Sequence, residues 1–367
     1  MKKEILFTAY TLDVGGIETA LVNLLNELVK RYNVTLVLEK KQGIFLSELN
    51  SAIKIVEYNP NKSKYVLIRK TINVIKRIKF IIKCKNKFDF SASFATYSKM
   101  GSFCARVASK NNALWCHAKY SKLFNTKMEM KNFFEFINYK KFKNIVFVSN
   151  EGARDFEEVF PEKKGNIMVC NNLIDCAKII KMSNEKIELK KQEIPTFLNV
   201  GRQEEKQKKL SRIIEAAKIL ADEKYKFRIF MIGEGPDTVN YKKIVEDKKL
   251  ENYIFFLGKK KNPYPYYKIS DSVVLTSEYE GYPVVFIEAM ALGIPILTTD
   301  VSDSKEEIDG RYGVVIKNNM PEEIAKEMKG IIKNKEKYSE KFDSIKFNNN
   351  VLNKIESLIN GGNNAKN

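Results

Sequence analysis

The sequence predicts an α/β protein made of two successive Rossmann-like halves. Three observations lead there. At the amino terminus a buried strand ("EILFTAY", 4–10), a glycine turn at Gly15-Gly16, a helix ("IETALVNLLNELVKRY") and a second strand ("VTLVLE", 34–39) follow one another. That order opens a parallel α/β unit, with ligands expected at the carboxyl ends of the strands. The same order restarts after residue 195, and 367 residues suit two domains of ordinary size better than one core.

Further strands of the first half are expected at 88–94, 112–116 and 144–149 ("NIVFVS"). The polar interval 178–195, "KIIKMSNEKIELKKQEIP", reads as the linker between domains. Beyond it come the strand "PTFLNVGR", the helix "SRIIEAAKILADE" and the strand "FRIFMIGEGP" with its Gly233-x-Gly235-Pro236 end. "YIFFLG", "VVLTS" (273–277) and "PILTTD" read as strands, "VVFIEAMALG" as a helix, and "GRYGVVI" as a late glycine turn. The Asn/Gly/Lys-rich end, "NGGNNAKN", reads as frayed.

Composition narrows the class. Hydrophobic residues at 44% and charged residues at 30% mark a globular rather than a disordered chain. No stretch approaches the ~18 apolar residues of a membrane span, and "MKKEILFTAYTLDVGG" lacks the apolar run and cleavage site of a signal peptide. Five cysteines without CxxC spacing read as reduced packing residues of a cytoplasmic protein.

The net charge of +19 is uneven. Residues 1–180 hold 31 Lys/Arg against 16 Asp/Glu, and residues 181–367 hold 33 against 29. "NKSKYVLIRKTINVIKRIKFIIKCKNK" (61–87) carries ten basic residues and no acidic one, with apolar residues at roughly helical spacing. A basic amphipathic helix suits an anionic surface, either membrane headgroups or nucleic acid. It equally suits a helix packed on a sheet with a solvated basic outer face. No recognisable nucleic-acid-binding motif accompanies it.

The second half carries the chemistry. In "SEYEGYPVVFIEAMALGIPILTTD", Glu280 and Glu288 bracket seven uncharged residues. Acids favour the first turn of a helix, and Glu288 is expected there, at the start of "FIEAMALG". Gly281 allows close backbone approach, and the N–H groups from Tyr282 through Pro283 and Val284 to Phe286 lie near a helix start that favours anions. Upstream, Arg202 follows Gly201 at a strand end, where its rigid fork and the point charge of a nearby lysine suit a diphosphate. "NPYPYY" (262–267) reads as a helix start at Pro265.

Four features stand in one order: "NVGRQEEKQKKLSRIIEAAKIL", "IGEGP", "NPYPYYKISDSVVLTSEYEGYPVVFIEAMALGIPILTTD" and "GRYGVVI". Together they resemble glycosyltransferase family 4, retaining nucleotide-sugar enzymes of the GT-B fold, of the bacterial surface-polysaccharide type. The resemblance covers residues 196–330 strongly. It covers the first half more weakly, through Gly15-Gly16, "WCHAKY" and "FVSN". It implies two Rossmann-like domains with an intervening cleft: 1–180 on the acceptor side and 195–340 for the nucleotide sugar. Residues 341–367 would form a helix packing back on the first domain.

The resemblance assigns roles to positions of this sequence. Glu288 would receive the ribose hydroxyls, and Glu280 would contact the transferred sugar where oxocarbenium-like charge develops. Arg202 and a lysine would hold the diphosphate, with Gly201 and Gly233 at the donor loops. The family pattern puts that lysine five residues after the arginine, where Gln207 stands; Lys208 is favoured, with Lys206 as the alternative. His117, the single histidine, would contact the donor sugar at the end of its strand. Lys119 replaces an expected acid. Gly15 and Gly16 would approach donor phosphates or acceptor, and Asn172, with Asp175, resembles an Asn-Gly-x-Asp turn that has lost its glycine.

The implied function is transfer of a hexose or N-acetylhexosamine to a lipid-linked glycan in cell-surface polysaccharide biosynthesis. The donor, UDP- or GDP-linked, is a substrate, and neither cofactor nor metal is expected. An anionic membrane surface would be met through 61–87, placing the enzyme peripherally at the inner face of the plasma membrane, with no nucleic-acid partner. Two alternatives share the fold: a polyanion- or membrane-binding protein with degenerate catalysis, and a nucleotide-sugar epimerase.

Overall fold

The computed structural model describes residues 2–13, 15–338 and 340–362. It divides into two compact units, one holding the chain up to Ile174 and again from Ile345, the other holding Asp175–Ser344.

In the first unit the strands are β1 (Glu4–Ala9), β2 (Asn33–Leu38), β3 (Lys54–Glu57), β4 (Phe90–Ser93), β5 (Asn112–Cys116), β6 (Asn144–Phe147) and β7 (Ile167–Val169). They form one sheet in the order β3-β2-β1-β4-β5-β6-β7, parallel at every pairing. The helices between them are α1 (Gly16–Leu28), α2 (Val66–Cys84), α3 (Lys99–Ala108), α4 (Lys127–Phe136) and α5 (Asn150–Val159). Central strands such as "ILFTA" of β1 are buried throughout rather than alternating, because helices cover both faces of a parallel sheet. On α1 the buried Ala20, Leu21, Leu24, Leu25 and Leu28 recur at helical spacing and set the face turned to the sheet.

The second unit repeats the plan. Its strands are β8 (Thr196–Val200), β9 (Arg228–Ile232), β10 (Ile254–Gly258), β11 (Ser272–Leu275), β12 (Ile296–Thr299) and β13 (Gly313–Ile316). Their order is β10-β9-β8-β11-β12-β13, again all parallel. Its helices are α6 (Cys176–Met182), α7 (Glu205–Lys208), α8 (Leu210–Asp222), α9 (Thr238–Asp247), α10 (Tyr264–Lys268), α11 (Val284–Leu292), α12 (Ser304–Glu307) and α13 (Pro321–Lys333). In both sheets the strand order reverses beside the first strand, at β1/β4 and at β8/β11. Ligands of open α/β sheets sit at such switch points, outside the carboxyl ends of the strands.

Several expectations change. The division falls at Ile174/Asp175, and residues 178–195 belong with the second unit. Asp175 caps α6 by accepting from Lys178 N at 2.9 Å. Met182 O, Asn184 and Glu185 are then tied to Asn262 and Lys268 by hydrogen bonds of 2.7–2.9 Å. "GRYGVVI" contains β13 rather than a turn alone, since Gly313 pairs with Ile296. Strands β3 and β7 are short and were not expected. The last helix, α14 (Ser344–Ile359), joins the first unit, with Asn348 bonded both ways to Ile174 at 3.2 and 2.7 Å. Of the tail "NGGNNAKN", residues 363–367 lie outside the described residues.

Two glycines of the second unit separate backbone freedom from backbone contact. Gly293 ends α11 in the left-handed region (φ 67°) with open space around it. Gly233 has φ 127°, and a Cβ there would overlap the Gly201 carbonyl. Gly293→Ala should therefore cost only ~1 kcal/mol. Gly233→Ala should cost upwards of ~2 kcal/mol. Urea unfolding of the full chain, comparing midpoints of the two variants, measures the difference.

Candidate active site

In the second unit the carboxyl end of β8 turns outward at Gly201, whose N–H donates to Ile232 O at 3.0 Å. Arg202 follows, with its side chain 64% exposed and paired to Glu204 at 2.6 Å. The chain then forms α7, breaks at left-handed Lys209 (φ 49°) and continues as α8. This path carries Lys208 back over Gly201. A Cβ on Gly201 would sit 3.6 Å from the lysine Cε, an ordinary van der Waals contact that shows how closely Lys208 packs over this turn.

Glu280 lies in the loop after β11, on the other side of the switch point, and is 6% exposed. Its Oε1 accepts from Lys208 Nζ and from Ser277 Oγ, both at 2.6 Å, while Gln207 Nε2 approaches Oε2 at 3.3 Å. A carboxylate this buried needs such partners, because an unpaired one would lose its hydration without return. The loop is pinned to α7 and α8 by backbone and side chain alike. Glu278 N donates to Gln207 O at 2.7 Å, and Arg212 donates to Thr276 O and to Glu278. Tyr279 shows that Arg202 is near: burial pushes its phenol up, the charges of Glu204 and Glu280 add to that, and Arg202 opposes it.

Of the two lysines considered, the structure brings Lys208 to Glu280 and Gly201, whereas Lys206 is exposed on α7. Gln207 stands beside Glu280 as well.

Glu288 is not in the first turn of its helix. Pro283 caps α11, Val284 is its first residue, and Glu288 comes fifth, in the second turn. The helix dipole therefore does not account for it. Its partners are phenols from α10: Tyr267 donates to Oε2 at 2.7 Å and Tyr264 to Oε1 at 3.2 Å. Burial raises the Glu288 pKa, and the two tyrosine hydrogen bonds pull it back down. The tyrosines belong to "NPYPYY", where α10 starts at Tyr264 with Pro265 as its second residue. Their i, i+3 spacing on one helix face was the available signal.

The Gly281–Val284 segment is narrower than its sequence suggests. Phe286 N–H is taken by Pro283 O at 3.0 Å, and proline has no N–H. The Tyr282 side chain turns inward and donates to Glu307 of α12, so only its backbone remains for a ligand. Gly281 O accepts from Ser302 Oγ at 2.6 Å. Gly233 presses on the Gly201 backbone and Gly235 on that of Gln203, so β8 and β9 end with their loops in backbone contact. Gln203 is buried there with its Oε1 unpartnered.

In the first unit, Gly15 caps α1 in extended conformation and Gly16 is the helix's first residue, at the carboxyl end of β1. Asn172 is buried after β7. His117 follows β5. Its Nε2 lies 3.0 Å from Phe94 O, and its ring sits 4.6 Å from that of Phe94. A carbonyl can only accept, so Nε2 carries the proton. The buried Nδ1 is then a lone-pair acceptor, and it has no partner. Burial lowers the His117 pKa to about 4, which leaves the ring neutral at pH 7. Lys119, in place of an acid, is paired with Glu151 at 2.6 Å.

Among the described residues no group of three or more His, Cys, Asp or Glu could hold a metal ion, and the five cysteines are free. What the second unit assembles is a partly screened cation beside a glycine turn, and two buried carboxylates held by different donors. That set can meet a phosphate and accept from hydroxyls.

The His117 geometry sets a sign for acid stability. Its folded pKa lies below its unfolded value near 6.5, so its contribution is complete above that pH and is lost as the pH falls through about 4. The loss should reach about 3 kcal/mol. In His117→Asn the fall in stability between these pH values should be shallower, as read by urea unfolding at stepped pH.

Comparison with known proteins bears on the family and the fold. Residues 181–346 match the family model described as Glycosyl transferases group 1. An uncharacterized glycosyltransferase of Haemophilus influenzae is 24% identical over 352 residues, which span 94% of each chain. Among solved structures, HepE of Anabaena in complex with UDP and glucose has a TM-score of 0.78 at 16% identity, covering 97% of this chain and 100% of that one. A TarM variant of S. aureus, in complex with Fondaparinux, alpha-GlcNAc-glycerol and UDP, has a TM-score of 0.75 at 15% identity, covering 98% and 100%. The chain thus has the two-sheet fold of GT-B glycosyltransferase structures and carries a glycosyltransferase group 1 domain over residues 181–346, which supports a transferase.

Proposed function

We propose that the chain transfers a hexose or N-acetylhexosamine from a UDP- or GDP-linked donor to a glycan acceptor, with retention of anomeric configuration and without a metal. The observation that carries this reading is the Lys208–Glu280 pair at the switch point of the second sheet, beside Gly201. A nucleotide sugar leaves as a diphosphate, so negative charge grows on the leaving oxygens. Lys208 and the exposed fork of Arg202 are the cations at hand to stabilise it.

An arriving diphosphate competes with Glu280 for Lys208. As the lysine turns to phosphate, the Glu280 carboxylate is left with Ser277 and Gln207, and the charge the lysine had offset faces the positive end of the breaking bond. Glu288, kept in place by Tyr264 and Tyr267, accepts from the ribose diol. His117 offers an unpartnered Nδ1 acceptor to a sugar hydroxyl. The acceptor is a lipid-linked glycan of cell-surface polysaccharide assembly at the inner face of the plasma membrane. The ten cations of 61–87 supply the attraction to that surface.

Nucleotide release from a panel of nucleotide sugars, with acceptor extract present or absent, tests the reaction and identifies the donor. Glu280→Gln and Arg202→Ala should each lower kcat by ~10²–10³ with the fold intact. Near-wild-type turnover in either would remove that residue from the mechanism. Epimerisation of the donor without acceptor consumption would replace transfer with the other chemistry of this fold.

Tyr267→Phe tests the hold on Glu288. Loss of the shorter phenol bond should raise the Glu288 pKa further. The pH below which donor affinity falls should then move upward, in KM, with kcat at neutral pH little changed. An unshifted KM profile would mean that Tyr267 only packs.

A further inference from the structure

Helix α2 faces the wrong way for a helix of a soluble domain. At about 100° per residue, Leu67, Val74, Ile75, Ile78 and Ile82 fall on one stripe. They are 81%, 51%, 47%, 50% and 73% exposed. The opposite stripe, Arg69, Asn73, Lys76, Phe80 and Cys84, is the one turned to the domain, and Phe80 is the buried residue of the helix.

The inward stripe is tied down by polar bonds. Asn73 accepts from Asn61 N at 2.7 Å and donates to Asn61 O at 3.1 Å. Lys76 donates to Asn59 O at 2.6 Å and Arg69 to Ser63 O at 3.4 Å. Phe80 meets Tyr58 edge-on at 5.5 Å. Rolling the helix to hide its apolar stripe would break these bonds and expose Phe80. An exposed apolar stripe held in place this way marks an interaction surface.

The flanks of the stripe say what it meets. Lys70 and Arg77 lie along one side and Lys79 and Lys83 along the other, and no acid occurs between Glu57 and Asp89. Apolar residues bordered on both sides by cations match a bilayer with anionic headgroups, where hydrocarbon lies beneath a negative surface. At 19 residues the helix is about 28 Å long, and no described helix is long and apolar enough to cross a membrane.

We propose that α2 lies flat in the interface of an anionic bilayer, with Leu67, Val74, Ile75, Ile78 and Ile82 inserted below the headgroups. Lys70, Lys79 and Lys83 then sit at the phosphate level, while Arg77 stays over the Phe103 ring of the domain. This deepens the membrane part of the proposed function from electrostatic attraction to insertion. It uses no residue of the candidate active site, so it stands or falls apart from glycosyl transfer.

The test is sedimentation of the full chain with phosphatidylcholine vesicles, with and without phosphatidylglycerol, over rising salt. Wild type should bind the anionic vesicles and retain part of that binding at high salt. Ile78→Glu with Ile82→Glu should lose vesicle binding by ~tenfold or more. Lys79→Gln with Lys83→Gln should weaken it about fivefold per residue and flatten its salt dependence. In Ile75→Trp, lipids brominated on their acyl chains should quench the new fluorescence. Turnover of a soluble acceptor should be the same in all these variants, which checks folding and separates this test from that of the reaction.

Three results would overturn insertion. One is absence of vesicle binding by the wild type. Another is binding that salt abolishes completely and the glutamates leave unchanged. The third is a lipid-independent dimer, seen by analytical ultracentrifugation and broken by Ile78→Glu, which would make the occupant a second copy of the chain.

Discussion

The candidate site of the second unit depends on two backbones being allowed to touch. Gly233, at the end of β9, presses against the Gly201 carbonyl at the end of β8, where any side chain would overlap. With those strand ends closed on each other, Gly201 offers a flat surface, and Lys208 lies across it within reach of Glu280. Remove the contact and the loop carrying Arg202, the turn at Lys209 and the register of α8 all lose their reference. The ion pair across the switch point sits on a backbone contact that the missing side chain of Gly233 allows.

Burying acids is costly, and the second unit compensates buried Glu280, buried Glu288 and partly buried Glu307 with specific donors. Glu280 is held by a cation and a hydroxyl, partners that leave it able to exchange the cation for another ligand. Glu288 has two phenols, neutral donors that hold its charge in a site without a counterion. Glu307, whose pKa burial raises, receives the phenol of Tyr282 and fixes the start of the Glu280–Glu288 loop from behind. Each mode suits its place. A carboxylate meant to face a developing cation needs a partner that can leave, whereas one meant to accept from a diol needs orientation more than neutralisation.

The buried strands were legible because a parallel sheet covered on both faces writes itself as short apolar runs between glycine turns. β3 and β7 were not, since "KIVE" and "IMV" are too short and too half-buried to carry that pattern. The apparent linker misled for a related reason: α6 is only seven residues, and although the polar residues after it are mostly exposed, Asn184 and Glu185 tie the segment to Lys268 and Asn262 of the second unit. The resemblance pointed to Glu280 and Lys208, which meet across the switch point; Ser277, which was not expected there, joins them. Local spacing put Glu288 in the wrong turn, because the helix begins at Val284, right after the proline of "GYP", and not at the phenylalanine two residues on. Tyr264 and Tyr267 stood in a segment read only as a helix start. Their role as donors to Glu288 exists only once α10 and α11 are side by side.

Helix α2 shows the remaining limit of periodicity as a guide. Its sequence reports that apolar and basic residues take different faces, but the spacing does not say which face turns to the domain. Ordinarily that choice is supplied by assuming that apolar residues go inward. Here the inward face is chosen by Phe80 and by the polar bonds of Arg69, Asn73 and Lys76 to residues 59–63. One aromatic and a few directional hydrogen bonds outweigh a stripe of aliphatic residues that the domain has no groove to receive. Water gives those aliphatics no compensating contact, so the arrangement makes physical sense when something other than water completes the surface.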